Sequence, residues 1–72
     1  MVGARIKALR EEQRLSRAEL ADAAGTSRQH IWQIEEGWRE NISLATAVGI
    51  AEALGVSVED LLGGLGKASG LR

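Results

Sequence analysis

Arg28, Gln29 and Gln33, with Trp32 among them, are the residues of this chain best equipped for recognition chemistry. A guanidinium can bond guanine O6 and N7 together, and a carboxamide can do the same for adenine N6 and N7. If Ile31 and Ile34 face inward on a helix, positions 28, 29, 32 and 33 share its outer side. Catalytic chemistry finds no comparable set. The chain has no Cys and no Tyr, and its one His, His30, has no nearby Ser–Asp constellation. It also has no glycine-rich phosphate loop, so an enzyme reading fails on inventory. Without thiols or clustered imidazoles, neither a metal site nor a cofactor is expected. The sequence likewise offers no reason to expect a small-molecule ligand.

These residues lie in SRAELADAAGTSRQHIWQIEEG, residues 16–37, which reads as two short helices joined by a tight turn. Proline is absent, and Ala, Leu, Glu and Arg favour helix throughout. A first helix spans 2–13, with Val2, Ile6 and Leu9 on one stripe. Ser16 opens the second through a capping box with Glu19; Leu20, Ala21 and Ala24 form its inner face, and Gly25 ends it. Ser27 caps a third helix that runs to about 36 and stops at Gly37. Ser43 caps a fourth, 44–54, expected to be buried through Leu44, Ala47, Val48, Ala51 and Leu54 and stopped by Gly55. Gly49 within it costs up to about 1 kcal/mol against Ala and suggests a close backbone approach. Ser57 opens a short fifth helix with Leu61 and Leu62. The fold class expected is all-α, a five-helix bundle over residues 1–62, with a flexible glycine-rich tail at 63–72.

Helices two and three meet the requirements of a helix-turn-helix. Ala21 is small where the helices cross, Gly25 tolerates the turn, and Ile31 and Ile34 lock the angle. The exposed N-terminal end of the third helix then carries groups able to reach base edges. An ordinary helical hairpin is the plain alternative.

Length and charge set the limits. Seventy-two residues make one domain at most. So short a chain buries only about 60% of its unfolded surface, and with no disulfide or metal available, oligomerisation is the remaining aid. Val56, Val58, Leu61 and Leu62 exceed what five short helices can bury, so they are the expected homodimer interface. The net charge of −1 hides an asymmetry. Residues 1–39 hold seven Lys/Arg (Arg5, Lys7, Arg10, Arg14, Arg17, Arg28 and Arg39) opposed by six acids, whereas residues 40–66 hold no Lys or Arg but four acids, Glu40, Glu52, Glu59 and Asp60. One end of the domain could face phosphate while the other repels it. No apolar run reaches the roughly 18 residues of a membrane span, and the amphipathic, charged start is no signal peptide, so a cytoplasmic location is the default.

The segments IKALREEQRLSRAELADAAGTSRQHIWQIEEG and ENISLATAVGIAEALGVSVEDLL, in that order, resemble the Cro/phage-repressor (Xre-like) helix-turn-helix family. The resemblance covers about residues 6–62. It implies a lambda-repressor-like five-helix DNA-binding domain, acting on double-stranded DNA as a two-fold dimer on a palindromic operator. Position by position, it implies base readout by Arg28, Gln29, Trp32 and Gln33. It implies phosphate contacts by Arg17, Ser27, His30, Arg39 and Asn41, and a structural ion pair between Arg10 and Glu35. Arg17 replaces the Gln usual in the family at the start of the second helix.

Several residues keep two readings. His30 is a backbone contact or a half-packed, solvated ring. Trp32 touches a thymine methyl or sugar, or covers neighbouring helix surface. Trp38 stands where the family often has Lys or Arg, and serves packing, a dimer contact or a phosphate through its indole N–H. Ile42 replaces a common Pro, and Asn-Ile-Ser resembles restriction–modification controller proteins, although Trp32 and Gln33 do not. The function these features imply is a sequence-specific transcriptional regulator, a dimeric repressor or autoregulator. The alternatives are an antitoxin-type protein, a restriction–modification controller, or the DNA-binding half of a larger regulator.

Overall fold

Four serines start four of the five helices. In each case the hydroxyl accepts the amide of the residue three positions on: Ser16 from Glu19 at 3.0 Å, Ser27 from His30 at 3.0 Å, Ser43 from Thr46 at 3.1 Å and Ser57 from Asp60 at 3.0 Å. These bonds satisfy amides that the helix itself leaves orphaned. At Ser16 the Glu19 carboxylate returns the bond, accepting the Ser16 amide at 2.8 Å and completing the expected capping box. The computed structural model describes residues 2–38 and 42–62. Its helices are α1 (Val2–Glu12), α2 (Arg17–Ala24), α3 (Arg28–Glu35), α4 (Leu44–Leu54) and α5 (Val58–Leu61). The expected tail at 63–72 lies outside the described residues, and among those described there is no strand.

The turn between α2 and α3 depends on Gly25, which sits in the left-handed region at φ 76°. There the Thr26 amide reaches the Ala21 carbonyl at 2.9 Å, closing α2. The end of α1 was not marked by glycine. Arg14 takes the left-handed position at φ 59°, and the Leu15 amide bonds the Arg10 carbonyl at 3.0 Å. The same closure is thus built from a residue that pays about 1–2 kcal/mol for its Cβ.

The core gathers Ile6, Leu20, Ala21, Ile31, Ile34, Ile50, Ala51, Leu54 and Leu61. α2 packs against both α3 and α4, α1 closes over α3, and α5 fills the corner between α1 and α4. Two helix contacts are too close for a side chain. A Cβ on Gly49 would lie 2.7 Å from the Ala24 carbonyl oxygen, which accounts for the glycine inside α4. A Cβ on Gly3 would collide with the Ile34 carbonyl oxygen, so α1 meets α3 in the same way. Side-chain bonds also join elements at their ends. Gln13 Nε2 donates to the Leu54 carbonyl at 2.7 Å, and Arg5 Nε donates to the Asp60 carbonyl at 3.1 Å.

Three expectations about the apolar residues need correction, the first being Val48, which is only half-buried in α4. Leu44 is not part of the buried face of α4, for it is 73% exposed. It is the first residue of that helix, and Ile50 takes the buried place instead. Leu61 is not available to a partner, because it is 0% exposed within its own protomer. Val56 and Val58 are half-buried against the same core, so among the four residues expected at the interface only Leu62, 40% exposed, stands clear.

Candidate nucleic-acid interface

α3 has the two-faced character that its sequence requires. Ile31 and Ile34 are buried, and their placement turns Arg28 and Gln29 out to solvent in the first turn. Trp32 is exposed and Gln33 half-buried one turn later. Two shallow grooves meet at Gln29. One is lined by Ser27, Gln29, His30 and Gln33, the other by Arg17, Arg28, Gln29 and Trp32. The fold thus brings Arg17 of α2 beside three of the four residues assigned to base readout. Arg39 and Asn41, also assigned to phosphate, lie outside the described residues.

Ser27 and His30 are occupied locally. The Ser27 hydroxyl caps α3, and His30 Nδ1 lies 2.8 Å from the Thr26 hydroxyl. The ring is half-buried and tied to the turn that precedes its own helix, a contact that sequence spacing of four could have suggested.

Behind this surface lies a network of five charges, in which Glu11 stands 3.8 Å from Arg10 Nη2 at the outer edge. Arg10 Nε donates to Glu35 Oε2 at 2.7 Å and its Nη2 to Oε1 at 3.2 Å. Its Nη1 donates to the Leu15 carbonyl at 2.7 Å. The hydrogen bonds with Glu35 hold the Arg10 guanidinium more firmly protonated than usual, outweighing the opposing effect of burial. Glu35 takes a second guanidinium as well. Arg17 Nε donates to its Oε1 at 2.9 Å, and Arg17 Nη2 reaches Glu36 Oε2 at 3.4 Å. The sequence points Arg17 to phosphate and gives no sign of either carboxylate partner. Spacings of 18 and 19 residues carry no local signal for such a contact.

The two tryptophans form a pair, with ring centroids 5.4 Å apart and planes inclined at 39°. Gly37 makes this possible. At φ 83° it turns the chain back, so that the Trp38 amide bonds the Gln33 carbonyl at 2.8 Å and its ring returns to Trp32. Trp38 remains 71% exposed.

A family profile described as Helix-turn-helix matches residues 6–61. The chain belongs to the helix-turn-helix family. Its matched segment begins within α1 and ends at the last residue of α5, so the match reaches all five described helices. Its architecture is that of the lambda-repressor type, and its relatives include repressors. The immunity repressor protein of Bacillus phage phi105 is 44% identical over 62 residues, which are 86% of this chain and 42% of that protein. The transcriptional regulator SinR of Bacillus subtilis is 37% identical over 62 residues, 86% of this chain and 56% of SinR. The chain therefore spans only about half the length of these two relatives.

Solved structures agree with this placement. SinR, described as the master regulator for biofilm formation and solved in complex with DNA, superposes with a TM-score of 0.83 at 37% identity. That match covers 86% of this chain and 98% of the SinR chain. The restriction–modification controller protein C.AhdI from Aeromonas hydrophila gives 0.79 at 33% identity, covering 83% of this chain and 89% of that one. Ile42, the residue that suggested such controllers, is half-buried and packs against the core. No described helix is long and apolar enough to cross a membrane, and no described group of residues could hold a metal ion.

Proposed function

We propose that this chain is a sequence-specific DNA-binding transcriptional regulator that lays α3 in the major groove. The observation that carries the reading is the outer face of α3. Arg28 and Gln29 stand exposed in its first turn, above a buried Ile31 and Ile34 that fix the helix on α2 and α1. An α-helix fits the major groove, where every base pair presents a distinct set of donors and acceptors. Arg28 suits guanine, and Gln29 and Gln33 suit adenine. Trp32 offers an apolar edge to the only apolar group there, the thymine methyl. Ser27 and His30 flank this reader and Arg17 approaches from the start of α2 as phosphate contacts, a role we also assign by sequence to Arg39 and Asn41.

Repression is the mode the phage relative's name supports, and we extend it to a homodimer that represses or autoregulates. The phage protein is an immunity repressor, and SinR was solved with DNA. The dimer contact we assign centres on the exposed Leu62 and the rims of Val56 and Val58. A cytoplasmic location follows from that role. The likeness to C.AhdI favours a controller-type regulator as the second reading. The greater length of the phage repressor and SinR favours a DNA-binding unit of a larger regulator.

Selection of bound duplexes from a random DNA pool tests the proposal. The expected result is a motif with two-fold symmetry whose half-sites lie about 34 Å apart, one helical turn. Recovery of no enriched sequence overturns it.

A further inference from the structure

We propose that Glu36 is a specificity determinant: its carboxylate holds Arg17 in the free protein and must yield to a backbone phosphate before Arg17 can join a DNA complex. This rests on the DNA-binding reading above and adds a device that suppresses binding to the wrong duplex.

The charge balance is the first argument. Arg17 lines a groove with Arg28, Gln29 and Trp32, yet it adds no free positive charge there. Arg10 and Arg17 face Glu35, Glu36 and the more distant Glu11, so two cations stand against three anions. The helix ends supply the second argument. Arg17 is the first residue of α2, where the helix dipole disfavours a cation. Glu36 is the C-cap of α3, where the dipole disfavours an anion. Helix stability calls for neither charge, but their proximity offsets both misplacements.

The two carboxylates differ in their freedom to move. Glu35 has a side chain 0% exposed, held by Arg10 on both oxygens. Glu36 is 38% exposed and touches Arg17 at the longer distance of 3.4 Å. Such a pair gains little over solvation and exchanges readily. A phosphate offers the same charge and the same acceptor oxygens. Where docking brings a phosphate to Arg17 Nη2, the exchange is nearly even. Where docking is out of register, Arg17 stays neutralised and Glu36 repels the backbone. Glu35 meanwhile keeps Arg17 Nε at 2.9 Å, so the guanidinium is already aimed when Glu36 leaves.

Glu36→Gln tests this in the full chain, against the selected duplex and a scrambled duplex of equal length. The variant should bind the scrambled duplex about 2- to 5-fold tighter, the fold-change equivalent of one exposed ion pair. Its salt slope should steepen by about 0.9 as Arg17 takes one more phosphate. The ratio of specific to non-specific affinity should fall. Glu59→Gln, an exposed charge on α5, controls for the mere loss of an anion. Arg17→Gln combined with Glu36→Gln should abolish the gain, with circular dichroism confirming the fold of each variant. A gain no larger than that of Glu59→Gln, or one that survives in the double variant, overturns the proposal. A parent protein that binds neither duplex overturns it together with the reading on which it rests.

Discussion

The guanidinium of Arg10 and the carboxylate of Glu35 form a two-point pair, at 2.7 Å and 3.2 Å, that ties α1 to the end of α3. The reading helix is therefore clamped at its C-terminal end by charge and beneath its middle by Ile31 and Ile34. Removing one partner from a buried pair leaves an uncompensated charge, at a cost of roughly 3–5 kcal/mol. Arg10→Ala should fall near the lower end, because Arg17 still holds Glu35. Since 1 kcal/mol shifts Tm by about 4–8 °C in a domain of this size, thermal denaturation should show a fall of more than about 10 °C. The base preference of the folded fraction should not change. The sign of the pH effect follows from the raised affinity of Arg10 for its proton. A raised folded value gives stability that is present below the unfolded value and is lost only above it. For an arginine that lies beyond the neutral range, so the share due to Arg10 should stay constant from about pH 5 to 9.

Arg28→Ala should act on recognition and leave folding alone. Arg28 is exposed and has its backbone in the first turn of α3, where its loss removes no core contact. Repeating the selection with the variant should show relaxed choice at one position of each half-site, by about 1–3 kcal/mol. The melting temperature should match that of the parent. An unchanged motif would remove Arg28 from the reader.

How far the sequence was legible depends on how local each signal was. Ser16, Ser27, Ser43 and Ser57 act within three residues of themselves, and every one of them caps a helix as expected. Gly25 and Gly55 act within five residues, and both close helices in the left-handed region. The end of α1 escaped because Arg14 takes the glycine position without the glycine. Leu44 and Leu61 were misjudged because helical spacing gives a face but not the depth to which a neighbour covers it. The Arg17 contacts with Glu35 and Glu36, and the collision that demands Gly3, depend on how α1, α2 and α3 meet in space.

Gly49→Ala separates propensity from packing. In an open helix this change would stabilise by up to about 1 kcal/mol. Here the new methyl would stand 2.7 Å from the Ala24 carbonyl oxygen, which is backbone and cannot rotate aside. Overpacking of this kind costs typically about 1–3 kcal/mol, so the propensity gain should be cancelled or outweighed, with a net loss of up to about 2 kcal/mol. Urea denaturation measures it. A stabilised variant would mean that α4 moves off α2 with little cost.

Leu61 and Leu62 are adjacent but should fail in different ways. Leu61 is fully enclosed by the core, so Leu61→Ala should cost about 2–5 kcal/mol and lower Tm at every protein concentration. Leu62 is exposed, so Leu62→Ser should leave the dilute protein as stable as the parent. Its effect should appear in sedimentation at micromolar concentration, as a shift from dimer towards monomer. Equal sedimentation of parent and Leu62→Ser would remove Leu62 from the interface.

The Trp32–Trp38 pair should be visible both in stability and in light emission. A tilted contact with centroids at 5.4 Å falls within the favourable range for aromatic pairs, worth about 0.5–1.5 kcal/mol beyond area. Trp38→Ala should lose about that much and free the Trp32 ring to rotate. Trp38→Phe should restore most of the stability, because a phenyl ring can still lean on the indole. It also leaves Trp32 as the single emitter, since the chain has two tryptophans in all. Trp32 lines the groove beside Arg28 and Gln29, so its emission in Trp38→Phe should change when the selected duplex is added. An emission spectrum indifferent to a duplex that demonstrably binds would place Trp32 outside the contact and leave it as helix cover alone.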